Sequence, residues 1–266
     1  AVPMSPGQFL TSPLFSVGGK FRVLREPWAK SRPDVETKDE ESLADFARRR
    51  FGAEAFAYGL EPFVAGIFAG DPEKLAVKHA FPRLQKMEDE HGSIVRGALR
   101  VRRESKAKGP RRLVSFHDGM AALPRALAAQ VGDSLELNAK LSTLQRDANG
   151  EWSAVWNTPS GAKQEIFDGV VIAVPAHGLA CLPLPLALLE NLSPLAKIDY
   201  PPVSVAVLAF PRHAVGHPLD GFGALVPRVE ELSILGMLFS STLFPGRVPA
   251  NQVLLTTFVG GSRQPE

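Results

Sequence analysis

The chain has 266 residues, 45% hydrophobic and 22% charged, enough for one large domain or two of ordinary size with a buried core. A net charge of +2 offers no global argument for nucleic acid. The 23 glycines and 23 prolines come without a repeat, which excludes collagen-like and disordered readings and predicts many turns.

The single cysteine, Cys181, excludes a disulfide framework and leaves zinc only scattered histidines and carboxylates. Apolar runs such as Val205–Phe210 are far too short to span a bilayer, and Ala1–Pro6 lacks the basic start and apolar core of a secretory signal. A cytoplasmic, reducing compartment is the expectation.

In chain order, the first forty residues, rich in Pro, Gly and Ser, read as loops and short strands, followed by an acidic connector over Asp34–Glu41. Ser42 with Asp45 three residues later is a short capping box that opens a helix. Leu43, Phe46, Ala47, Phe51, Phe56, Leu60, Phe63, Val64 and Ile67 then fall on one helical stripe, with breaks expected near Gly52 and Pro62. Asp71-Pro72-Glu73 reads as another helix start, ended at Pro82. Arg96–Arg112 holds eight basic residues against one acid and no aromatic, so it reads as a solvated loop or hinge rather than a base-stacking surface.

Met120, Leu123, Leu127 and Val131 predict a helix closed by Gly132-Asp133. The period then changes. Leu135–Leu137, Leu141–Arg146 and Glu151–Asn157 alternate, with turns at Asp147–Gly150 and Thr158–Gly161, which predicts an antiparallel meander. Val170–Val174 is apolar on both faces and reads as a covered central strand, ended by Pro175 and followed by a helix-like segment. Val203–Phe210 and Val253–Phe258 are the last predicted strands. The order implies a mixed α+β chain with a helical region inserted into a sheet region.

Motifs for hydrolytic, phosphate-binding or metal chemistry are missing: there is no Gly-x-Ser-x-Gly, Walker loop, His-Glu-x-x-His or Cys-x-x-Cys. Gly221-Phe222-Gly223-Ala224-Leu225-Val226 begins like a dinucleotide fingerprint. Val226 replaces the third glycine and Pro227 stands where a helix should run, so no helix N-terminus can receive a pyrophosphate. No catalytic residue and no metal ligand is assigned.

Several phrases carry a family resemblance. They are Glu61–Leu75 (EPFVAGIFAGDPEKL) with Ala80–Leu84, then Gly221–Pro227 (GFGALVP) with Leu235–Ser241 and Leu243–Pro245; weaker ones are Asp118–Pro124 and Asp168–Pro175. The chain resembles the protoporphyrinogen oxidase family of amine-oxidase-like flavoenzymes over nearly its whole length. That implies part of an FAD-binding, p-hydroxybenzoate-hydroxylase-like fold with an antiparallel substrate-domain sheet and an inserted helical region. Residues 1–115 would be a helical, membrane-associating region plus the start of the substrate domain, 116–183 a partial FAD domain, and 184–266 the substrate-domain sheet. The family's opening glycine fingerprint and its final flavin-contacting segment are not among these residues, so an internal fragment is expected, inactive by itself.

The resemblance also implies residue roles. Gly66 would meet the tetrapyrrole, where a missing Cβ permits close approach; helix packing beside Ile67 and Phe68 is the plain alternative. Phe222 and Leu225 would line one wall of the substrate pocket and Leu238 and Phe239 the other, against the simpler reading of alternating strand residues in a sheet core. Leu141, Ala173, Val174 and Pro175 would pass near FAD.

The implied reaction is oxidation of protoporphyrinogen IX to protoporphyrin IX by FAD, with dioxygen as final acceptor, in heme and porphyrin biosynthesis. The basic partner of a substrate propionate would fall upstream of Ala1 in the family pattern. Coproporphyrinogen III oxidation, another flavin amine oxidase or desaturase, and a non-catalytic tetrapyrrole- or membrane-binding module stay open. A homodimer is a candidate partner. So is the inner face of a membrane, through the apolar stretch Leu43–Phe68 and the basic segment after Arg96, unless those apolar faces pack into the helical region.

Overall fold

The computed structural model describes residues 6–29, 40–104 and 114–264. In chain order it runs α1 (Pro6–Thr11), α2 (Val17–Leu24), α3 (Leu43–Phe51), α4 (Ala53–Ala55), a π-helical turn (Phe56–Leu60), α5 (Glu61–Phe68), α6 (Val77–Ala80), α7 (Pro82–His91), α8 (Ile94–Glu104) and α9 (Ala122–Val131). Strands β1 (Lys140–Arg146), β2 (Trp152–Thr158) and β3 (Gly161–Phe167) follow, then α10 (Leu186–Leu192), β4 (Val203–Pro211), β5 (Gly223–Leu225), β6 (Gly236–Leu238), α11 (Ser240–Leu243) and β7 (Gln252–Gly260). The chain forms two compact units, Ala1–Arg112 with Pro201–Glu266, and Leu113–Tyr200.

The first unit begins with helices where loops and short strands were expected. Ser16 caps α2 by accepting the Gly19 N–H, and the Glu54 carboxylate accepts both the Ser16 N–H at 2.6 Å and its hydroxyl at 2.7 Å. That support comes from 38 residues away, beyond any local pattern. Ser42 caps α3 as expected, accepting the Asp45 N–H at 3.0 Å and donating its hydroxyl to the Asp45 carboxylate at 2.9 Å. The apolar stripe becomes core: Leu43, Phe46 and Val64 pack with Val77 and Ile94, while Ala44, Ala47 and Phe56 form a second cluster. The first part of the stretch Leu43–Phe68 is thus turned inward, whereas Phe63, Ile67 and Phe68 at its end are exposed. Asp71 caps only a turn, its carboxylate accepting the Glu73 N–H; the helix α6 begins later, at Val77, and ends at Ala80 just before Pro82, which opens α7. Its missing N–H is harmless in a first helical turn.

A buried ionic group ties these helices together. Glu26 accepts the Ser93 hydroxyl at 2.6 Å and the N–H groups of Ile94 and Val95 at 2.9 and 3.1 Å, capping α8. Arg50, fully buried, donates to the carbonyls of Ala29 and Gly92 and lies 3.5 Å from Glu26 and 3.1 Å from Glu88.

The sheet of this unit has the strand order β4-β7-β6-β5, antiparallel throughout. The register sets Leu225 opposite Gly236 and Gly236 opposite Phe258, and sets Gly223 opposite Leu238 and Leu238 opposite Thr256. Gly221–Val226 leads into a strand with only a three-residue 3-10 turn, Arg228–Glu230, behind it and no α-helix, as its departure from the fingerprint indicates.

The second unit holds the expected helix, α9, and the expected meander, β1-β2-β3. The Asp147 carboxylate accepts the N–H groups of Asn149 and Glu151 and so sets the first turn. Leu144, Ala154 and Leu184 form its core, with Leu141, Trp152, Trp156, Leu188, Leu189 and Leu192 against it. Residues 184–200 therefore belong to this unit, whereas 183/184 was the expected boundary. Leu135–Leu137 is not a strand. Glu136 instead accepts Lys163 Nζ and Trp156 Nε1, both at 2.6 Å. Val170–Val174 is also no covered strand: Val171 is 92% exposed, and only Ile172 reaches the core. A strand needs a neighbour for its N–H and C=O groups, and among the described residues none pairs with it.

Candidate functional site

The site is built on α5 and its seat on the sheet. At the start of α5, Glu61 is buried and accepts Arg263 Nε at 3.0 Å, Arg263 Nη2 at 2.7 Å on each oxygen, and the Arg228 N–H at 3.1 Å. Arg263 Nη1 donates to the Val226 carbonyl at 2.7 Å. At the other end, the Ala69 carbonyl accepts the Ser262 N–H at 2.7 Å, with Ala69 in the left-handed region at φ 49°. The turn after β7 thus holds both ends of α5.

Between these anchors lies Gly66. A Cβ placed there would stand 2.5 Å from Leu225 Cδ2, so the helix meets the sheet through the missing side chain. The plain reading of Gly66 as a packing glycine is the one seen, with Leu225, itself an expected site residue, as the partner. Leu225 shares its sheet face with Leu238, since Gly223 and Leu225 point the same way and Gly223 is the partner of Leu238. The same face continues through Thr256 and Phe258 on β7 to Val207 and Val205 on β4. It is apolar and open: Leu225, Val205 and Val207 are exposed, and Leu238, Thr256 and Phe258 half-buried.

The expected pairing of walls is corrected by this register. Leu225 and Leu238 lie on one face instead of facing each other, and Phe239, one residue beyond Leu238, falls on the opposite face. It is 6% exposed, packed with Leu219 and Val253 and 5.4 Å from the His217 ring. Phe239 is a core residue. Phe222 is exposed, and its carbonyl accepts the Phe239 N–H at 3.1 Å, extending the β5–β6 ladder by one bond. A cleft of about 260 Å³ beside the start of α5, lined by Arg48, Phe56, Glu61, Pro72, Arg228 and Val229 among others, contains none of the expected residues.

The residues expected near a flavin lie in the second unit. Leu141 stands opposite Trp156 in the meander and packs toward the core cluster, as Ile172 does. Ala173, Val174 and Pro175 are exposed in an extended run without a strand partner. Apolar side chains beside open backbone groups fit one wall of a flat ring system. The described residues of this unit hold no glycine-rich strand-to-helix turn for a pyrophosphate. Among the described residues no group of three His, Cys, Asp or Glu side chains could hold a metal.

Sequence reasoning did not find Glu61 or Arg263 as partners. Pro62 read only as a break in the helical stripe and Glu61 only as the start of a family phrase, and the 202 residues between Glu61 and Arg263 give no pattern that pairs them.

An antiparallel sheet with one open apolar face and a short helix seated against it form the first unit, and the meander unit is inserted in its sequence. The chain belongs to the flavin-containing amine oxidoreductase family, whose model matches residues 1–266. It is 35% identical over 294 residues to the mitochondrial protoporphyrinogen oxidase of Nicotiana tabacum, covering all of this chain and 58% of that protein. It is 31% identical to the protoporphyrinogen oxidase of Bos taurus (97% of this chain, 54% of that one) and 25% identical to the coproporphyrinogen III oxidase of Bacillus subtilis strain 168 (97% and 54%). A solved structure provisionally assigned as a protoporphyrinogen oxidase from Exiguobacterium sp. 255-15 superposes with a TM-score of 0.73 at 20% identity, over 99% of this chain and 55% of that one. Reduced UDP-galactopyranose mutase superposes at 0.52, over 94% and 52%, with 13% identity. The fold is that of the flavin amine oxidases, and the chain spans a little over half the length of these relatives.

Proposed function

We propose that the protein carrying this chain is an FAD-dependent oxidase of protoporphyrinogen IX, with dioxygen as final acceptor, and that this chain supplies the substrate wall. The observation that carries the reading is Gly66 seated on Leu225 at the edge of an open apolar sheet face. Likeness to protoporphyrinogen oxidases over the whole chain supports it.

A porphyrinogen ring offers broad apolar edges, and Leu225, Leu238 and exposed Phe222 offer dispersion contacts without polar competition. Gly66 lets α5 sit down on Leu225 and so fixes where that side chain stands in the wall. Leu141, Ala173, Val174 and Pro175, all in the second unit, would offer apolar contact to the flavin. When bound, FAD supplies the redox chemistry, accepting hydrogen from the substrate's bridging carbons. This chain accordingly contributes placement and no acid–base pair.

The test is porphyrin fluorescence growth when the FAD-loaded protein meets protoporphyrinogen IX in air, with coproporphyrinogen III alongside. Faster growth with protoporphyrinogen, above the autoxidation blank, is expected. Faster growth with coproporphyrinogen would favour the second reading, which the Bacillus subtilis relative supports. No enhancement with either would overturn both. In the same protein, Phe222→Ala is expected to raise KM with little effect on melting temperature.

A cytoplasmic protein bound to the inner face of a membrane is part of this reading, and a further exposed apolar surface is available besides Phe63, Ile67 and Phe68 of the expected stretch. No helix among the described residues is long and apolar enough to cross a membrane. Val17, Phe21, Leu24 and Trp28 recur at helical spacing, are all exposed, and are interleaved with Lys20, Arg22 and Arg25. Co-sedimentation with anionic vesicles should fall when Phe21 and Trp28 are both changed to Ser; unchanged sedimentation would remove this surface from the reading.

A further inference from the structure

We infer that the Glu61–Arg263 ion pair is a positioning device for substrate binding: it sets how far α5 stands from the sheet, and so fixes the Gly66–Leu225 contact that forms part of the tetrapyrrole wall. The inference rests on the proposed substrate reading of that wall.

Four observations carry it. Glu61 is buried, the Arg263 side chain is only 12% exposed, and every oxygen and nitrogen of the pair has a partner. A group so fully satisfied holds one geometry, because each bond fixes the planar guanidinium against the carboxylate. The pair also gathers three strands of backbone: Glu61 opens α5, the Arg228 N–H and Val226 carbonyl follow directly on β5, and Arg263 sits in the turn after β7. Leu225 is the residue before Val226, so the clamp grips the chain one residue from the side chain that Gly66 meets. Finally, Gly66 lies five residues beyond Glu61, roughly 7–8 Å along the helix, and the Ala69 carbonyl with the Ser262 N–H holds the far end. With both ends fixed, the middle of α5 cannot rise or slide without breaking the pair.

A burial-driven contact alone would not need this arrangement. Leu225 Cδ2 is the end of a flexible side chain and could follow a drifting helix. The charged pair is directional, and a small displacement at a wall that orients substrate is amplified in its binding.

The experiment compares wild type, Glu61→Gln, Arg263→Lys, Leu225→Ala and the Glu61→Gln/Leu225→Ala double variant in the FAD-loaded protein. The readouts are KM and kcat for protoporphyrinogen IX, the dissociation constant for protoporphyrin IX by fluorescence titration, flavin content and melting temperature. Glu61→Gln keeps the side-chain shape and an acceptor oxygen, so it should fold and retain flavin. We expect KM and the porphyrin dissociation constant to rise by about tenfold with kcat nearly unchanged, and Arg263→Lys, which keeps the charge but loses the fork, to raise them by less. In the double variant the Glu61→Gln effect on KM should shrink, because the contact it acts through has gone. A lowered melting temperature with KM and porphyrin affinity unchanged, or effects that add fully with Leu225→Ala, would overturn the inference and leave the pair purely structural. A wild-type protein that holds flavin yet neither binds nor oxidises the tetrapyrrole would fail the functional reading itself, and the inference with it.

Discussion

Gly66 is set by distance. A methyl group there would stand 2.5 Å from Leu225 Cδ2, so Gly66→Ala should shift that side chain at small cost, whereas Gly66→Leu has no room and should destabilise the first unit by about 1–3 kcal/mol. Chemical denaturation of the two variants would show the difference; equal stability would mean that α5 can lift from the sheet. Glu54 is set by charge. The Ser16 N–H, then the Ser16 hydroxyl, hold its carboxyl below the usual carboxylate range. A depressed folded-state pKa stabilises at pH above the unfolded value and is lost as pH falls through the folded one. Acidification below the ordinary carboxylate range should therefore loosen the start of α2, and Glu54→Gln should flatten that part of the stability–pH curve. An unchanged curve would show that Ser16 alone suffices.

Elements hold where local pattern and long-range support agree. α3 has both a cap in its own sequence and a buried stripe, so its position was legible from Ser42, Asp45 and the spacing of Leu43, Phe46 and Ala47. α2 and α8 depend on partners far along the chain, Glu54 for one and Glu26 for the other, and their anchoring was not legible. Glu26→Ala would remove the acceptor for three donors at the start of α8 and leave Arg50 with one carboxylate fewer. A loss of about 3–5 kcal/mol is expected, with faster hydrogen exchange at Ile94 and Val95. Slow exchange at those amides in the variant would contradict the cap. Val170–Val174 is the opposite case: its composition is that of a buried strand, but composition cannot supply a neighbouring strand.

At the scale of the whole molecule, the sheet presents its edge. β4 is a terminal strand of that sheet and all nine of its residues are exposed, Val205, Val207, Leu208 and Phe210 among them. Unpaired strand edges with apolar side chains recruit other edges. The 266-residue chain alone should therefore self-associate with rising concentration, and Val207→Lys should shift it toward monomer in light scattering. Monomer at all concentrations in both proteins would show that the edge is protected in solution.

The sequence by itself determined the α+β class, the meander, the capped helix α3, the rejection of Gly221–Val226 as a phosphate loop and the family, because each rests on residue types at short, fixed spacings. Tertiary structure alone decided which residues share a surface. It placed Leu225 with Leu238 and sent Phe239 to the core, since the side one strand residue faces depends on a register set by β7 and β5. It turned Leu43, Phe46, Ala47, Phe56 and Val64 inward and left Phe63, Ile67 and Phe68 exposed, since an amphipathic stripe fits a membrane and a protein core alike. It also joined Glu61 to Arg263, because charge complementarity between residues so far apart acts only once the fold has brought them within hydrogen-bonding distance.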